Sequence, residues 1–305
     1  MKTGLNLLNF AAWANPRVLQ RLAEGTEELG YHFLMISDHV AVTPDVAALY
    51  PAPFYDPFIT LAWLSGITKK LELGTSVIII PYRHPLQIAK MGANIDQLSG
   101  GRFIFGAGIG WAQQEFAALG IPFRKRRALT DEYLKIIRDF WTKDVISHEG
   151  NSVKFENVHT GPRPLRSPRP PIWIGGTSDA ALRRALRVGD GWHPLQFRMD
   201  WLKNEGLPCL QKLAKAEGTR LPALCPRIMM TITDEPLPEE QRLAGEGTNE
   251  QIQKDLEELQ SIEAEYVLLD TYKGKPDSMP DPEVILRNLG VLSREVLDLQ
   301  KQSLR

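Results

Sequence analysis

The chain has 305 residues, with 36 lysines and arginines against 37 aspartates and glutamates and a formal net charge of −1. This balance argues against nucleic-acid binding, which needs a clustered excess of basic residues, and no apolar run approaches the roughly 20 residues of a membrane span. The N-terminus also lacks the basic-then-apolar pattern of a secretory signal. We therefore expect a globular protein of the cytosol with neither a nucleic-acid nor a membrane partner.

Apolar, β-branched runs alternate with segments of helical period along the whole chain. The predicted strands are Leu5–Phe10, Tyr31–Ser37, Leu71–Ile80, Arg102–Gly106, Ile172–Ile174, Gly191–His193, Arg227–Thr233 and Tyr266–Asp270. The predicted helices between them include Pro16–Leu29, Asp56–Thr68, Pro85–Leu98, Thr130–Trp141 and Asp179–Arg187, and a last one starts at Asp281. Eight strands interleaved with helices in about 300 residues predict a closed (β/α)8 barrel of the TIM type. A doubly wound open sheet is the alternative, but its usual Gly-x-Gly-x-x-Gly pattern after the first strand is missing.

Two segments depart from this alternation. The loop from Asp38 to Pro57 carries four prolines, too many for regular structure, together with several aromatic side chains, and we expect it to be functional. The polar stretch Val145–Val158 alternates in character and predicts a small β excursion. We therefore expect a single domain over residues 1–305 with an insertion at about 145–165.

A dense basic run extends from Arg124 to Arg127. We predict that it is the solvated start of a helix, with Asp131 and Glu132 as counter-charges.

The dipeptide Asp38-His39 follows the second predicted strand, so it would lie at the carboxyl end of the barrel, where such folds keep their active sites. Histidine is the side chain most easily poised for proton transfer near neutral pH, and a neighbouring carboxylate can fix its tautomer. The alternative is an aspartate that caps the loop beside an exposed histidine.

A second cluster, Gly175-Gly176-Thr177-Ser178, follows the fifth predicted strand and precedes a helix. Glycines let a ligand approach the backbone, and the free N–H groups of a helix's first turn favour an anion such as phosphate. A plain strand-to-helix turn, in which Thr177 or Ser178 caps the helix, is equally consistent with the pattern.

Alternating glycines, Gly106, Gly108 and Gly110, end the fourth predicted strand. They could admit a flat ring or close a tight corner of the barrel. The stretch around Ser76 and Val77 reads as an ordinary buried parallel strand.

Aromatic side chains gather in or beside the predicted strand-to-helix loops. They are Trp13, Tyr50, Phe54, Tyr55, Trp111 and Trp192. Such a rim suits a pocket for a flat cofactor and an apolar substrate, and packing accounts for about half of such residues.

Other chemistries have little support in the sequence. Cys209 and Cys225 lack the paired spacing of a disulfide framework or a zinc site, and the six histidines are scattered without a His-Glu-x-x-His pattern. No Gly-x-Ser-x-Gly elbow is present. We therefore expect no metal site, and the pattern favours chemistry carried by an organic cofactor.

Taken together, the motifs resemble the bacterial luciferase-like oxidoreductases over roughly residues 1 to 195. The resemblance rests on Glu28-Leu29-Gly30-Tyr31, Ser37-Asp38-His39-Val40, Leu73-Gly74-Thr75-Ser76-Val77, Pro81-Tyr82-Arg83-His84-Pro85, Leu98-Ser99-Gly100-Gly101-Arg102, Gly106-Ala107-Gly108-Ile109-Gly110-Trp111, Pro171-Ile172-Trp173-Ile174-Gly175-Gly176 and Gly189-Asp190-Gly191-Trp192. Within that family the chain is most similar to the group that depends on the deazaflavin coenzyme F420.

The resemblance implies a role for each candidate residue. His39 would donate or accept a proton near the reacting ring, and Asp38 would orient it or contact the cofactor. Ser76 and Val77 would be joined by a non-prolyl cis peptide behind the ring. Gly175, Gly176, Thr177 and Ser178 would hold the cofactor phosphate, and Gly108, Ile109 and Gly110 would run beside the ring system.

The substrate pocket would be lined by aromatic side chains, namely Trp13, Tyr50, Tyr55, Trp111 and Trp192. Trp111 stands where the family's sugar-phosphate dehydrogenases carry a catalytic glutamate, which argues against a phosphorylated sugar and favours an apolar substrate. Family habit also implies a homodimer.

Three functions remain open. With F420 the enzyme would transfer a hydride to or from a small organic substrate, and the Asp38-His39 pair favours this reading. With FMN the same barrel would be a monooxygenase that receives reduced flavin from a partner reductase. A flavin-binding barrel without turnover is the third, because fold alone does not establish activity.

Overall fold

The computed structural model describes all residues from Met1 to Arg305. Eight parallel strands alternate with eight long helices. The strands are β1 (Lys2–Asn6), β2 (Phe33–Ile36), β3 (Glu72–Thr75), β4 (Phe103–Gly108), β5 (Ile172–Gly175), β6 (Gly191–His193), β7 (Arg227–Met229) and β8 (Tyr266–Asp270). The helices are α1 (Pro16–Glu28), α2 (Pro57–Ile67), α3 (Pro85–Ser99), α4 (Arg126–Thr142), α5 (Asp179–Val188), α6 (Leu207–Glu217), α7 (Asn249–Ser261) and α8 (Pro282–Glu295).

Neighbouring strands pair in chain order, and β8 pairs with β1. Between β6 and β7 the contact is a single parallel bridge at Leu195 and Arg227, where the Arg227 N–H donates to Pro194 O at 2.8 Å. A short strand at Ala223–Leu224 pairs with the edge of β6. The sheet thus curls in the order of a TIM-type barrel, which confirms the predicted fold class.

Strand ends are where the structure departs from the sequence-based expectation. The first strand is Lys2–Asn6 rather than Leu5–Phe10, and the third breaks after Thr75, with Ile78–Ile79 resuming the pairing with β4. Residues beyond the ladders, such as Leu7 and Phe10, are fully buried. The apolar pattern therefore predicts which residues are buried. It does not predict where a strand ends, because burial continues past the last residue that pairs with a neighbouring strand.

Three barrel helices begin with the same local device. Asn15, Asp56 and Asp281 each accept a backbone N–H of the first turn through their side-chain oxygen, and a proline follows each of them. Proline is favourable there because the first helical N–H groups have no partner within the helix. The start of α1 predicted at Pro16 is therefore confirmed.

The predicted β excursion is a hairpin of Val145–Glu149 and Lys154–His159, which pair antiparallel in a sheet of their own. Glu132 of α4 holds the turn by accepting the N–H groups of Ser152 and Val153. None of the helices combines the length and the apolarity that a bilayer crossing requires.

The spacing of β3 and β4 depends on a glycine. The Thr75 hydroxyl donates to Gly106 O at 2.8 Å, and the Gly106 N–H donates to Thr75 Oγ1 at 3.0 Å. A Cβ atom added to Gly106 would lie 1.8 Å from Thr75 O. No side chain fits there without separating the two strands.

We predict that Gly106→Ala destabilises the protein by about 2 kcal/mol or more, because overpacking against backbone cannot be relieved by a rotamer change. The control is Gly66→Ala in α2, where an added Cβ meets nothing within 4 Å and stability should stay unchanged or rise by about 0.5–1 kcal/mol. Urea denaturation measures both. Equal stability of the two variants would show that the close approach is not constraining.

Candidate active site

The candidate site lies at the carboxyl ends of β2, β3 and β4 and is centred on His39, which is 6% exposed. Its Nδ1 lies 2.6 Å from Oε2 of Glu115, on the short helix Gln113–Ala118 that follows β4. Glu115 is fully buried. Its other oxygen accepts the backbone N–H groups of Val40 at 2.6 Å and Ala41 at 3.0 Å, and the Tyr82 hydroxyl donates to Oε2 at 2.9 Å.

These contacts set the charge state of the cluster. Burial by itself would raise the pKa of Glu115, but the hydrogen bonds and charge of His39 and the N–H groups of Ala41 and Val40 lower it. Burial and the neighbouring Glu115 carboxylate raise the pKa of Tyr82, so that its hydroxyl stays a donor. The ionised Glu115 accepts a hydrogen bond from the Nδ1–H group of His39, which fixes the tautomer of the imidazole ring. The other ring nitrogen, Nε2, has no protein partner.

Asp38 does not hold His39, contrary to the expectation that the neighbouring carboxylate would orient the ring. Its oxygens accept both terminal nitrogens of Arg83, at 2.8 and 2.9 Å, and the Ile79 N–H at 2.9 Å. Burial raises the pKa of Asp38, and the Arg83 guanidinium opposes that rise. Asp38 therefore fastens the loop after β3, while His39 contacts the aromatic rings of the pocket.

Aromatic rings enclose His39 on several sides. Tyr50 stacks on its imidazole at 5.5 Å, and Phe54 and Trp111 present edges at 5.3 and 5.8 Å. Trp111 is 44% exposed and therefore lies at the mouth. Phe10 and Tyr272 pack behind Tyr50. The sequence pattern places Phe10 at the end of the first strand and gives no signal for Tyr272, which lies two residues beyond the eighth predicted strand.

Three of the predicted pocket residues make no ring contact with His39, whose ring neighbours are Tyr50, Phe54 and Trp111. Trp13 is 1% exposed, and its indole donates to Pro280 O at 2.9 Å. Trp192 is fully buried and donates to Gly176 O at 2.9 Å. Tyr55 is half-buried and makes no ring contact with His39, while its N–H donates to Asn9 O at 2.8 Å.

The Ser76–Val77 peptide is cis, as the family resemblance implied. The Val77 side chain fills the space beside two of the predicted cofactor-binding glycines. A Cβ on Gly108 would lie 2.5 Å from Val77 Cγ2, and one on Gly175 would lie 3.1 Å from Cγ1. These glycines therefore make room for the Val77 side chain.

A buried polar network holds Ser76 from behind. Arg227 donates to Ser76 O and Oγ, each at 3.0 Å, and pairs with Asp270, which also accepts the Asn6 amide at 3.0 Å. Burial lowers the pKa of His193 to about 4, so its ring is neutral. His193 donates through Nδ1 to a carbonyl, and its Nε2 therefore accepts the Ser76 hydroxyl at 2.9 Å.

Sequence reasoning missed these network residues. Asn6, His193 and Asp270 each end a barrel strand, so a polar residue closing an apolar run was the available signal.

The loop from Gly175 to Ser178 has features of both predicted alternatives, a strand-to-helix turn with a capping residue and an anion-binding loop. Gly176 has a φ of +111°, which L side chains rarely adopt, and the Ser178 hydroxyl caps α5 by accepting the Ala181 N–H. The N–H groups of Gly176, Thr177 and Ser178 donate to no protein acceptor. Free N–H groups beside the start of a helix fit the phosphate that flavin and deazaflavin cofactors carry.

A protein-family model and several known proteins match the sequence of this chain. A family model described as luciferase-like monooxygenase matches residues 2–236. An uncharacterized protein of Mycobacterium tuberculosis is 28% identical over 205 residues, 63% of this chain and 71% of that protein. An FMNH2-dependent dimethylsulfone monooxygenase of Pseudomonas putida is 35% identical over 133 residues, 43% of this chain and 36% of that enzyme.

Solved structures share the fold at low sequence identity. The monooxygenase RslO1 of Streptomyces bottropensis has a TM-score of 0.77 at 20% identity, over 96% of this chain and 98% of its own. The coenzyme F420 dependent tetrahydromethanopterin reductase of Methanopyrus kandleri has a TM-score of 0.76 at 18% identity, over 96% and 97%. Their likeness establishes the barrel.

Proposed function

Because the chain belongs to the luciferase-like monooxygenase family, we propose that it is an oxidoreductase that uses coenzyme F420 to transfer a hydride to or from a small apolar substrate. The observation that carries the proposal is the state of His39. Its Nδ1 is held by the buried Glu115, and its Nε2 is free inside an aromatic pocket at the strand ends. This is the arrangement of a group that moves a proton.

The residues present fit the cofactor. Ser76, Val77, Gly108, Ile109 and Gly110 would lie beside its ring, and the Gly175–Ser178 loop would hold its phosphate. When bound, the deazaflavin supplies the carbon that carries the hydride.

The side chains then have defined tasks. In the oxidising direction the free Nε2 of His39 takes the substrate's proton, and in the reducing direction protonated His39 returns it. Glu115 is a positioning residue. It holds the imidazole ring of His39 in place and compensates the positive charge that develops on that imidazole. Tyr50, Phe54 and Trp111 exclude water and favour an apolar substrate.

A second candidate function is an FMN-dependent monooxygenase. It is favoured by the identity of 35% over 133 residues with the dimethylsulfone monooxygenase of Pseudomonas putida, an FMNH2-dependent enzyme. In that case a partner reductase would supply the reduced flavin. For either function, we propose that the enzyme acts in the cytosol. A barrel without turnover is the weakest reading, because it gives the buried Glu115–His39 pair no use.

We also propose that the chain forms a homodimer through α2. This helix contains no charged residue, yet Ile59 is 70% exposed and Trp63, one turn later, is 38% exposed. A helix that is apolar on all sides is typical of one buried on all sides. A second copy of the chain would cover this face.

The dimer proposal predicts that the protein elutes at about twice its mass of 34.3 kDa, and that Ile59→Glu shifts it to the monomer, because a charge would be buried unpaired at the interface. Size-exclusion chromatography with light scattering measures this. Leu221→Glu, at an apolar residue 50% exposed elsewhere, should stay dimeric. A monomeric parent protein, or an Ile59→Glu variant that remains dimeric, would contradict the proposal.

For the reaction, we predict that His39→Ala slows turnover about a hundredfold or more, the contribution of a positioned acid or base, while cofactor affinity changes little. Glu115→Gln keeps the side chain's size but removes its charge, so turnover should slow and its pH profile should change. Stopped-flow absorbance and fluorescence titration give the two quantities.

The matched control is His159→Ala, which removes an exposed histidine of the hairpin and should leave both quantities unchanged. Full turnover in His39→Ala would remove the proton-transfer role. Loss of cofactor binding in the same variant would instead assign His39 to binding.

A further inference from the structure

The hydroxyl of Tyr50 is unused in a pocket whose other tyrosines have partners. Tyr82 donates to Glu115 at 2.9 Å, and Tyr272 donates to the carbonyl of Leu49. The Tyr50 hydroxyl makes no hydrogen bond within the chain and is not enclosed by protein atoms. It is therefore available to a molecule that enters the pocket.

The ring that carries this hydroxyl is held on three sides. The Tyr50 ring stacks on the imidazole of His39 at 5.5 Å and meets Phe10 at 5.4 Å and Tyr272 at 5.8 Å. Its backbone N–H donates to Val46 O at 2.7 Å. The stacking keeps the phenol beside the imidazole whose Nε2 is free, so one small molecule can contact both groups in a fixed orientation.

Arg227 and Asp270 form a polar end of the pocket near the Tyr50 hydroxyl. Burial raises the pKa of Tyr50, the guanidinium of Arg227 opposes that rise, and the carboxylate of Asp270 adds to it. The hydroxyl therefore keeps its proton at neutral pH and acts as a donor. Asp270 accepts two nitrogens of Arg227, at 2.7 and 2.9 Å, so the polar end offers a ligand no unpaired cation.

Two side-chain oxygens beside Asp270 also lack a partner. They are Oδ1 of Asn6, whose amide nitrogen donates to Asp270 at 3.0 Å, and Oγ1 of Thr271, the next residue along the chain. Asn6 is fully buried and Thr271 is 8% exposed. Because buried polar atoms in proteins are nearly always hydrogen-bonded, the polar end suits a polar group of a ligand better than hydrocarbon.

The remaining wall of the pocket is apolar and carries no free charge. Phe54 and Trp111 present their edges to His39. Arg83 and Arg227, the two arginines of the site, are each paired with a buried aspartate. A substrate that matches both parts of the pocket has an apolar body and a neutral oxygen, because a phosphate or carboxylate would be buried without a counter-charge.

We propose that Tyr50 is a catalytic residue whose hydroxyl donates a hydrogen bond to the substrate oxygen on the carbon that exchanges the hydride. In the reducing direction a carbonyl carbon gains a hydride, with its two electrons, from the reduced cofactor. The π electrons of the C=O bond move to the oxygen, which takes the proton of His39 and becomes a hydroxyl. The oxidising direction is the reverse.

Tyr50 keeps its own proton throughout, and its hydrogen bond strengthens as negative charge develops on the substrate oxygen. The inference rests on the proposed function. It narrows the substrate to neutral carbonyl compounds and the corresponding alcohols.

The test is Tyr50→Phe, which keeps the ring on His39 and removes only the hydroxyl. With reduced F420 and 2-octanone as the probe, we expect kcat/KM to fall about tenfold to hundredfold, the loss of one hydrogen bond to a developing charge. The infrared C=O stretch of bound 13C-labelled 2-octanone, measured with oxidised F420 or FMN present, should lie at lower frequency in the parent protein than in the variant.

The matched control is Tyr133→Phe, which removes a hydroxyl without a hydrogen-bond partner from α4 and should leave both quantities unchanged. Equal kcat/KM and equal C=O frequency in Tyr50→Phe and the parent protein would overturn the proposal and leave Tyr50 as packing around His39. Octanoate that competes as strongly as 2-octanone would overturn the assignment to a neutral oxygen. A parent protein that binds none of 2-octanone, cyclohexanone and acetophenone would also overturn it.

The infrared measurement does not require hydride transfer, so it separates this inference from the proposed function. A C=O frequency that depends on Tyr50, in a protein that does not reduce the ketone with F420, would overturn the F420 function and retain the contact between Tyr50 and the substrate oxygen.

Discussion

The candidate site depends on one buried carboxylate. Glu115 accepts hydrogen bonds from His39, Tyr82 and two backbone N–H groups of the loop after β2. An ionised group is costly to bury unless its oxygens are fully used, and here every donor comes from a segment that forms the pocket. The same contacts that compensate Glu115 therefore fix the tautomer of His39, the course of the loop after β2 and the position of the Tyr82 loop.

A second constraint comes from beneath. Ser76 is held by Arg227 and His193, and Arg227 is held in turn by Asp270. His193 of β6 and Arg227 of β7, supported by Asp270 of β8, thus fix the peptide that follows β3. These three residues are distant from Ser76 in the sequence. Val77 then occupies the space that Gly108 and Gly175 leave open. These contacts fix the position of the Ser76–Val77 peptide, as an oriented site requires.

The sequence predicted what periodicity and strand ends determine. The eight strands, the hairpin at Val145–Val158 and the position of His39 follow from local patterns, and the cis peptide followed from the family resemblance. The pairings could not be predicted, because they join residues 76 positions apart for His39 and Glu115 and 264 apart for Asn6 and Asp270. No sequence motif marks Glu115 as the residue that holds His39. Asp38 was expected to orient His39 only because the two residues are adjacent in the sequence.

The residues proposed to hold the cofactor do not by themselves decide between F420 and FMN. Both a flavin and a deazaflavin would present a ring and a phosphate to the same glycines, so those residues discriminate poorly, and the difference must arise from oxygen chemistry or from parts of the cofactor beyond the phosphate. Parallel fluorescence titrations with F420 and FMN, each followed by measurement of oxygen uptake in the reduced state, test the central claim directly. The account predicts tighter binding of F420 and no oxygen uptake. Preferential binding of FMN with substrate-dependent oxygen uptake would contradict it.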